Sequence, residues 1–243
     1  MSKTVLITGA SRGIGKALAH RFGKAGYSLI INSCNSKEVL LALQKELMET
    51  YSIRVLASVG NIGDFDYVAS LFDDIKKEFG GVDILINNAG ISHIGLLSDM
   101  SPLEWKNLID INLSSAFYTA KHAIPYMVSK QEGKIINISS VWGNVGASCE
   151  VAYSASKGGL NSFTKALSKE LAPSNIQVNA ISCGCIDTAM NACFSPEERK
   201  ALEEEIPAGR FGTPEEVAEL AYSIASNHPY LTGQIISLDG GWC

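Results

Sequence analysis

The chain has 243 residues, of which 46% are hydrophobic and 19% are charged. This length corresponds to one or two domains of ~150 residues each, or to one large α/β domain that needs neither disulfides nor a structural metal for stability. Twenty Lys and Arg residues against 25 Asp and Glu residues give a formal net charge of −5, and no basic block is present. Because nucleic acids are bound through clustered positive charge, the composition argues against a nucleic-acid partner.

The six cysteines include no C-x-x-C pair, and none of the four histidines has ligand spacing to another, so no metal site and no disulfide framework are predicted. The apolar run Val5 to Ile7 leads directly into Thr8 and Gly9, which is too short for a signal-peptide core. No apolar run approaches the ~18 residues of a membrane-spanning helix. We therefore expect a soluble, cytoplasmic protein without a membrane partner.

Short β-branched runs alternate with longer amphipathic runs along the whole chain, which is typical of a parallel sheet covered by helices on both faces. The predicted strands are Thr4–Thr8, Ser28–Asn32, Arg54–Ser58, Asp83–Asn87, Lys134–Ser139, Gln177–Ile181 and Gln234–Leu238. The predicted helices are Gly13–Ala25, Lys37–Thr50, Phe65–Phe79, Pro102–Val128, Ala152–Leu171 and Pro214–Ser226. No linker or repeat divides the chain, so residues 1–243 are predicted to form one doubly wound, seven-stranded α/β domain.

Three helix starts share one signature, a hydroxyl residue followed by Pro and then by Glu at the third helical position. They begin at Ser101, Ser195 and Thr213. In each, the hydroxyl can cap the third helical N–H, Pro occupies the tolerated first position, and Glu can reach back to the cap. The Ser195 start lies inside a long loop, Ile186–Arg210. Because loops longer than ~15 residues are usually functional, this segment is predicted to be a substrate lid, the alternative being an ordinary surface excursion.

A glycine-rich turn, Thr8 to Gly15, follows the first strand and opens the first helix. Gly9, Gly13 and Gly15 would allow a tight turn and the close approach of a pyrophosphate, whose charge the helix N-terminus would meet. By itself such a cluster is a weak signal, but between a first strand and a first helix it favours dinucleotide binding.

The end of the second predicted strand bears on which dinucleotide is bound. Folds that bind NAD place an Asp or Glu on the ribose 2′-hydroxyl there. The chain instead reads Asn-Ser-Cys-Asn-Ser-Lys from Asn32 to Lys37, while Arg12 and Lys37 could meet a 2′-phosphate. We therefore predict a preference for NADP(H), although Glu38 follows immediately.

Tyr153 and Lys157 are four residues apart on a predicted helix, so they share one face. A lysine ammonium near a phenol favours the phenolate, and a lowered pKa would allow Tyr153 to act as an acid and base near neutrality. Ser140 follows the fifth strand at the carboxyl edge of the sheet, where its hydroxyl could hold a carbonyl oxygen. Asn112 lies within the helix predicted over Pro102–Val128, where a buried amide needs a partner.

The glycine turn, the Asn-Asn-Ala-Gly sequence at residues 87–90, Asn112, Ser140, Tyr153 and Lys157 together resemble the short-chain dehydrogenase/reductase family, in order and at family spacing. The resemblance covers essentially the whole chain and implies a Rossmann fold, a nicotinamide cofactor and hydride transfer between the cofactor and a ketone or secondary alcohol. It implies that Tyr153 exchanges the proton, Ser140 orients the carbonyl, Lys157 binds the nicotinamide ribose, and Asn112 anchors a water that connects Lys157 to solvent.

The same resemblance implies a set of cofactor contacts. Asn61 and Ile62 would hold the adenine, Gly90 would lie along the cofactor, and Ile186 and Thr188 would contact the carboxamide. The complete predicted set is Gly9, Ser11, Arg12, Gly13, Ile14, Gly15, Asn61, Ile62, Asn88, Ala89, Gly90, Tyr153, Lys157, Gly184, Ile186 and Thr188. Trp142 and Asn144 are predicted to line the pocket, as are Met190, Cys193 and Phe194 of the lid.

The chain looks most similar to the 3-oxoacyl-acyl-carrier-protein reductases of this family, which are usually homotetramers. It departs from the family pattern after the sixth predicted strand, where Pro-Gly is usual and this chain has Cys183-Gly184-Cys185. These thiols could make the cofactor pocket sensitive to alkylation or could be inert. It also has Gln131 and Ser174 where carrier-using members tend to have arginines. Lys130, Lys134 and Lys169 could substitute for those arginines or could be scattered solvated residues.

The leading functional hypothesis is an NADPH-dependent reductase of a 3-oxoacyl thioester, free or bound to an acyl carrier. A second hypothesis is reduction of another ketone, such as a steroid, a small metabolite or the aminopentanone on modified elongation factor P. A third, from a different class, is a catalytically silent NADP-binding sensor, since fold alone does not establish function.

Overall fold

The computed structural model describes residues 2–191 and 194–243, and its centre is a seven-stranded sheet in which every pairing is parallel. The strand order is β3-β2-β1-β4-β5-β6-β7. The strands are β1 (Thr4–Ile7), β2 (Ser28–Ser33), β3 (Val55–Val59), β4 (Ile84–Asn87), β5 (Gly133–Ser140), β6 (Ile176–Cys183) and β7 (Ile235–Leu238). The predicted single doubly wound domain is therefore confirmed.

Helices cover both faces of this sheet. They are α1 (Gly13–Lys24), α2 (Lys37–Tyr51), α3 (Phe65–Phe79), α4 (Pro102–Ile109), α5 (Ser115–Lys130), α6 (Trp142–Val145), α7 (Val151–Leu171), α8 (Pro196–Glu205) and α9 (Pro214–Ser226). Strand side chains alternate between the faces, and Val5 and Ile7 pack in one core with α1, α2 and α9, whereas Leu6 packs in the other with α3, α5 and α7. No described helix has the length and apolar character needed to cross a bilayer.

The three helix starts predicted from the sequence are confirmed as capping boxes. The side chains of Ser101, Ser195 and Thr213 each accept a hydrogen bond from the backbone N–H of the Glu three residues later. The carboxylate of each of those glutamates in turn accepts a hydrogen bond from the backbone N–H of the cap residue. The local sequence is sufficient to set these boundaries because both partners lie within one helical turn.

The prediction of one continuous α-helix over Pro102–Val128 is wrong. The structure has α4, then a π-helical segment at residues 110–114, and then α5. A π-helical turn contains one more residue than an α-helical turn and often marks a functional position. Buried Asn112 lies within this segment, and its side chain bonds to the backbone of Ile91 outside the helix. Such a long-range partner cannot be read from helical periodicity.

The chain reverses its winding direction between β1 and β4, which are neighbours in the sheet although β2 and β3 intervene in sequence. Open α/β sheets bind ligands outside the carboxyl ends of the strands at such a point. The predicted lid segment lies over this edge, and Ile186, Thr188, Met190 and Phe194 line the cleft beneath it. Cys193 lies outside the described residues, and movement of the segment stays a prediction.

Candidate active site

A cleft of about 780 Å³ lies at the carboxyl edge of the sheet and reaches from the ends of β1 and β2 to those of β5 and β6. Every one of the predicted cofactor-contacting residues lies on its wall, as do Ser140, Trp142 and the lid residues that the structure describes there. Its volume is within the range of small-molecule and cofactor sites. Asn112 and Asn144 are not on this wall, so the prediction that Asn144 lines the pocket is wrong.

The glycine turn brings backbone, without side chains, to one end of the cleft. Gly9 has a φ of +66°, and a Cβ atom there would be 2.8 Å from the Cα atom of Ala89. A Cβ atom at Gly15 would be 2.2 Å from the carbonyl oxygen of Gly9. These positions therefore require glycine. The first residues of α1, Gly13 to Gly15, line the cleft, and the first N–H groups of a helix have no partner within it.

The turn after β4 braces the glycine turn. The Thr8 hydroxyl accepts hydrogen bonds from the backbone N–H groups of Asn88 and Ala89, each at 3.0 Å. The amide of Asn88 donates to the carbonyl oxygens of Thr8 at 2.9 Å and Gly9 at 3.1 Å. The two turns therefore form one rigid unit, and this unit gives the Asn88 side chain a structural task in addition to its place on the cleft wall.

The part of the cleft beside β2 carries no carboxylate among the described residues. Arg12, Ser33, Cys34, Asn35 and Ser36 line it. Arg12 is exposed and makes no ion pair with the described carboxylates. Lys37, which was expected to share this role, opens α2 and does not lie on the wall. This end of the cleft is therefore suited to an anionic group through Arg12 and through hydroxyl and amide donors.

Ser140, Tyr153 and Lys157 meet at the other end of the cleft. Ser140 is the last residue of β5, and its side chain is hydrogen-bonded to that of Tyr153. Lys157 lies one turn further along α7, donates from Nζ to the carbonyl oxygen of Ile138 at 2.8 Å, and lies 5.7 Å from the centroid of the Tyr153 ring. The strand end and the first turns of α7 thus hold a hydroxyl, a phenol and an ammonium on one wall.

Burial controls the ionisation of this group. It raises the pKa of Tyr153 well above its usual range, and the hydrogen bond with Ser140 opposes this only in part. Burial also lowers the pKa of Lys157 to about 8. The expected lowering of the Tyr153 pKa by Lys157 is therefore wrong for the protein itself, because loss of hydration is the largest effect on the phenol and no attraction to Lys157 is among the effects on it. At neutral pH Tyr153 carries its proton and Lys157 is mostly charged.

Asn112 lies behind the cleft wall. Its amide oxygen accepts from the backbone N–H of Ile91 at 2.8 Å, and its amide nitrogen donates to the carbonyl oxygen of Ile91 at 2.9 Å and to the hydroxyl of Ser156 at 3.1 Å. A Cβ atom at Gly90 would lie 3.5 Å from both the Asn112 amide oxygen and Lys157 Nζ. Asn112 therefore ties α7 to the turn after β4, next to the lysine.

A polar chain that the sequence reasoning missed fixes the catalytic side of the sheet. The Ser139 hydroxyl donates to the Asn161 amide oxygen at 2.6 Å, Asn161 donates to Asn144 at 2.9 Å, and Asn144 donates to the Ser182 hydroxyl at 2.9 Å. These bonds join β5, α7, α6 and β6. Serines inside otherwise apolar strands were the available signal, since buried hydroxyls require partners.

Cys183, the last residue of β6, and Cys185, two residues beyond it, both lie on the cleft wall. Burial raises the pKa of the Cys183 thiol to about 12 and that of Cys185 to about 11. Because the thiolate is the reactive form, these two thiols are poor nucleophiles at neutral pH, which favours the inert alternative.

Comparison with known proteins agrees with this geometry. The profile of the short chain dehydrogenase family matches residues 3–199. The chain is 36% identical to an uncharacterized oxidoreductase, YmfI, of Bacillus subtilis, over 100% of this chain and 99% of the relative. It is 39% identical to the 3-oxoacyl-[acyl-carrier-protein] reductase of Aquifex aeolicus, over 98% of this chain and 96% of the relative.

Among solved structures, the crystal structure of YwfH, an NADPH dependent reductase involved in bacilysin biosynthesis, superposes with a TM-score of 0.95 at 28% identity. The match covers 100% of this chain and 99% of that one. The fold, the strand-end cleft and the sequence match lead to one conclusion: the chain belongs to the short-chain dehydrogenase family and is an oxidoreductase of that family.

Proposed function

We propose that this chain reduces a ketone to a secondary alcohol with NADPH. The observation that carries the proposal is the shared cleft, in which the hydrogen-bonded pair of Ser140 and Tyr153 faces a glycine turn that admits only backbone. A site with backbone donors for phosphates at one end and two hydroxyl donors for a carbonyl at the other fits a dinucleotide and a ketone together.

Four side chains at this end of the cleft bind the carbonyl group, transfer the proton or hold the others in position. When bound, the nicotinamide supplies the hydride. Ser140 and Tyr153 hold the carbonyl oxygen between their hydroxyl groups, and Tyr153 passes its phenolic proton to that oxygen as negative charge develops there. Lys157 places a positive charge near the phenol and stabilises the phenolate left behind. Asn112 positions α7 from behind through its bond to Ser156.

The preference for NADPH rests on Arg12 and on the absence of a described carboxylate beside β2. A guanidinium matches the geometry of a phosphate and would pair with the 2′-phosphate, whereas NADH would leave it without a partner. YwfH, which has the same fold, is described as NADPH dependent. The ratio of kcat/KM for NADPH to that for NADH tests this preference, and a clear advantage for NADH would contradict it.

A 3-oxoacyl thioester is the first substrate class to test, because several relatives at 37–40% identity are 3-oxoacyl-[acyl-carrier-protein] reductases. Docking of an acidic carrier protein has less support from this chain. Lys130 is paired with Asp83, and both Lys130 and Lys134 lie near the beginning of β5, at the opposite end of that strand from Ser140. We therefore propose the thioester as substrate without assigning these lysines to a carrier.

The experiment is a panel in which the loss of NADPH absorbance is followed with acetoacetyl thioester, the same acyl group on a carrier protein, and steroid and small aliphatic ketones. Turnover of at least one ketone is expected, because the complete hydroxyl, phenol and ammonium set is present. If the protein binds NADPH tightly but oxidises it with none of the panel, the sensor hypothesis gains and the reductase proposal fails.

A further inference from the structure

Two indole rings lie beside Ser140 at the substrate end of the cleft. Trp142 opens α6, and its backbone N–H donates to the Ser140 hydroxyl at 3.2 Å. The ring centroid of Trp242, a residue beyond β7, lies 5.0 Å from that of Trp142, and the two ring planes meet at 58°. Both residues line the cleft. A ketone whose oxygen is held by Ser140 therefore has this indole pair next to one of its two substituents.

The segment that carries Trp242 is folded back on itself. The Asp239 carboxylate accepts hydrogen bonds from the backbone N–H of Gly241 at 3.0 Å and from that of Cys243 at 3.3 Å. A Cβ atom at Gly184, which follows β6 and lines the cleft, would be 2.8 Å from the Cα atom of Asp239. The start of the segment is thus fixed against the end of β6.

Gly240 joins the same segment to the predicted lid. Its φ is +69°, and its carbonyl oxygen accepts from the backbone N–H of Ala208 at 3.1 Å. A Cβ atom at Gly240 would be 2.9 Å from side-chain atoms of both Ile206 and Ala208, so only glycine permits this approach. On the other side of the ring, α6 is held by the polar chain through Asn144. The Trp242 ring is therefore held between the lid segment and α6.

Another part of the cleft wall is open to solvent. Ile94, in the turn after β4, lines the same cleft although it is 61% exposed. A large substituent can extend past Ile94 into water. A substituent directed at the indole pair instead meets side chains that are packed against each other, and such packing leaves few gaps. The two substituents of a bound ketone therefore encounter different amounts of space.

We propose that Trp242 determines specificity by limiting the size of one substituent of the ketone. The cleft accepts a ketone with one small and one large substituent, the small one against the indole pair, and rejects a ketone with two large substituents. This inference rests on the proposed ketone reduction and adds a residue that governs its specificity.

The alternative role for the indole pair is packing alone, since tilted aromatic pairs stabilise folded proteins. Loss of a residue that serves only packing lowers the free energy of unfolding and affects all substrates alike. A size limit instead changes the ratio of kcat/KM between a small and a large ketone. This ratio therefore distinguishes the two roles.

The test uses two ketones that share one arm. One is the methyl ketone that carries a single phenylethyl arm, and in the other a second phenylethyl arm replaces the methyl group. With NADPH, the wild-type protein is expected to show a kcat/KM for the methyl ketone at least a hundredfold above that for the two-armed ketone. Trp242→Ala is expected to reduce this ratio at least tenfold, through faster turnover of the two-armed ketone, because the space of the indole ring is freed. Comparing variants removes the intrinsic difference in reactivity between the two ketones.

Tyr230→Ala is the matched control, since Tyr230 is a fully exposed aromatic residue that does not line the cleft, and it should leave the ratio unchanged. Trp242→Phe covers the case in which the alanine variant does not fold. Its smaller ring keeps an aromatic contact with Trp142 and should lower the ratio at least threefold. An unchanged ratio in the folded Trp242 variants, or the same fall in Tyr230→Ala, would overturn the proposal while leaving ketone reduction intact.

A binding measurement covers the case in which neither ketone is reduced, which would count against the proposed function. Calorimetric titration of the two ketones into the protein saturated with NADP⁺ does not require turnover. A gain in affinity for the two-armed ketone in Trp242→Ala, without a gain for the methyl ketone, supports the size limit. An affinity for the two-armed ketone that is the same in Trp242→Ala as in the wild type, including no binding to either, refutes it.

Discussion

At the scale of single residues, the site depends on how burial treats two ionisable groups. Burial keeps Tyr153 protonated and lowers the pKa of Lys157 to about 8, so each group is held in the state that ketone reduction needs at neutral pH. The sequence identified both residues through their spacing. It could not give the direction of the Tyr153 shift, because the spacing shows a neighbouring charge but not the loss of hydration.

Tyr153→Phe removes the proton donor and little else. We expect kcat for ketone reduction to fall about 10²–10⁴-fold, the usual contribution of a general acid. NADPH affinity, measured by fluorescence titration, should change little, because the ring remains in place and the glycine turn is distant. A variant that retains the wild-type kcat would exclude Tyr153 as the donor.

The lowered pKa of Lys157 predicts a pH profile. The ammonium is present below about pH 8 and is lost as the pH rises through that value. Because the raised pKa of Tyr153 leaves its proton in place there, we expect kcat/KM for reduction to decline above about pH 8 through Lys157 alone.

Lys157→Arg tests this assignment, because a guanidinium stays charged across the accessible range. If Lys157→Arg retains activity, the decline of kcat/KM should occur at a higher pH than in the wild type. If the variant is inactive, it should also have lost NADPH binding, which would show that the ammonium acts on the cofactor. Lys169→Arg, on the exposed end of α7, should keep the wild-type profile. A flat wild-type profile through pH 8 would contradict the prediction.

At the scale of elements, local sequence signals were reliable where both partners lie within one turn, as in the three capping boxes. They failed where a distant partner decides the geometry. The π-helical segment at residues 110–114 follows the bonds between Asn112 and Ile91, and the polar chain through Asn161 joins four elements. Periodicity describes which face of a helix is apolar, and it contains no information about such bonds.

Loss of a helix cap is expected to lower the free energy of unfolding by different amounts at α9 and at α8. Thr213 caps α9, which buries five residues against the sheet, whereas Ser195 caps α8, which has none buried. Thr213→Ala should therefore lower the free energy of unfolding by about 1 kcal/mol. Ser195→Ala should change global stability much less, because α8 can fray without exposing core.

Chemical denaturation of Thr213→Ala and Ser195→Ala measures how much each substitution lowers the free energy of unfolding. Hydrogen exchange of the α8 amides should report the local loss in Ser195→Ala. Equal destabilisation by the two substitutions would show that α8 belongs to the cooperative core.

At the scale of the whole molecule, the fold could be predicted because short apolar strands regularly alternate with helices, and the five central strands are almost wholly buried. The sequence also placed the cleft, since strand ends of a doubly wound sheet meet at one edge. The ring contact between Trp142 and Trp242 could not be predicted in this way. They are far apart in sequence, and only the packing of the last residues against the α6 region brings Trp242 beside Trp142.

We expect the predicted homotetramer to assemble through exposed apolar side chains on three helices. Phe65, Phe117 and Leu103 are exposed large apolar residues on α3, α5 and α4, and Phe65 and Phe117 both contact the ring of Tyr118. Exposed apolar patches of this kind mark interfaces between subunits. Light scattering should give four times the chain mass of 26.0 kDa for the wild type.

Phe117→Glu should dissociate that assembly, whereas Val39→Glu, on exposed α2, should leave it intact. A wild-type mass of one chain would contradict the tetramer. Dissociation by both variants would instead indicate general destabilisation.

The irregular turn before α5 has a consequence for protein engineering. Shortening residues 110–114 by one position would give an uninterrupted α-helix with a more regular backbone, but it would remove the wide turn that places Asn112. The amide of Asn112 would then leave the Ile91 backbone and Ser156 without their partner. Stabilising substitutions should therefore be placed on the surface helices, since a straighter helix here would disturb the alignment of Lys157.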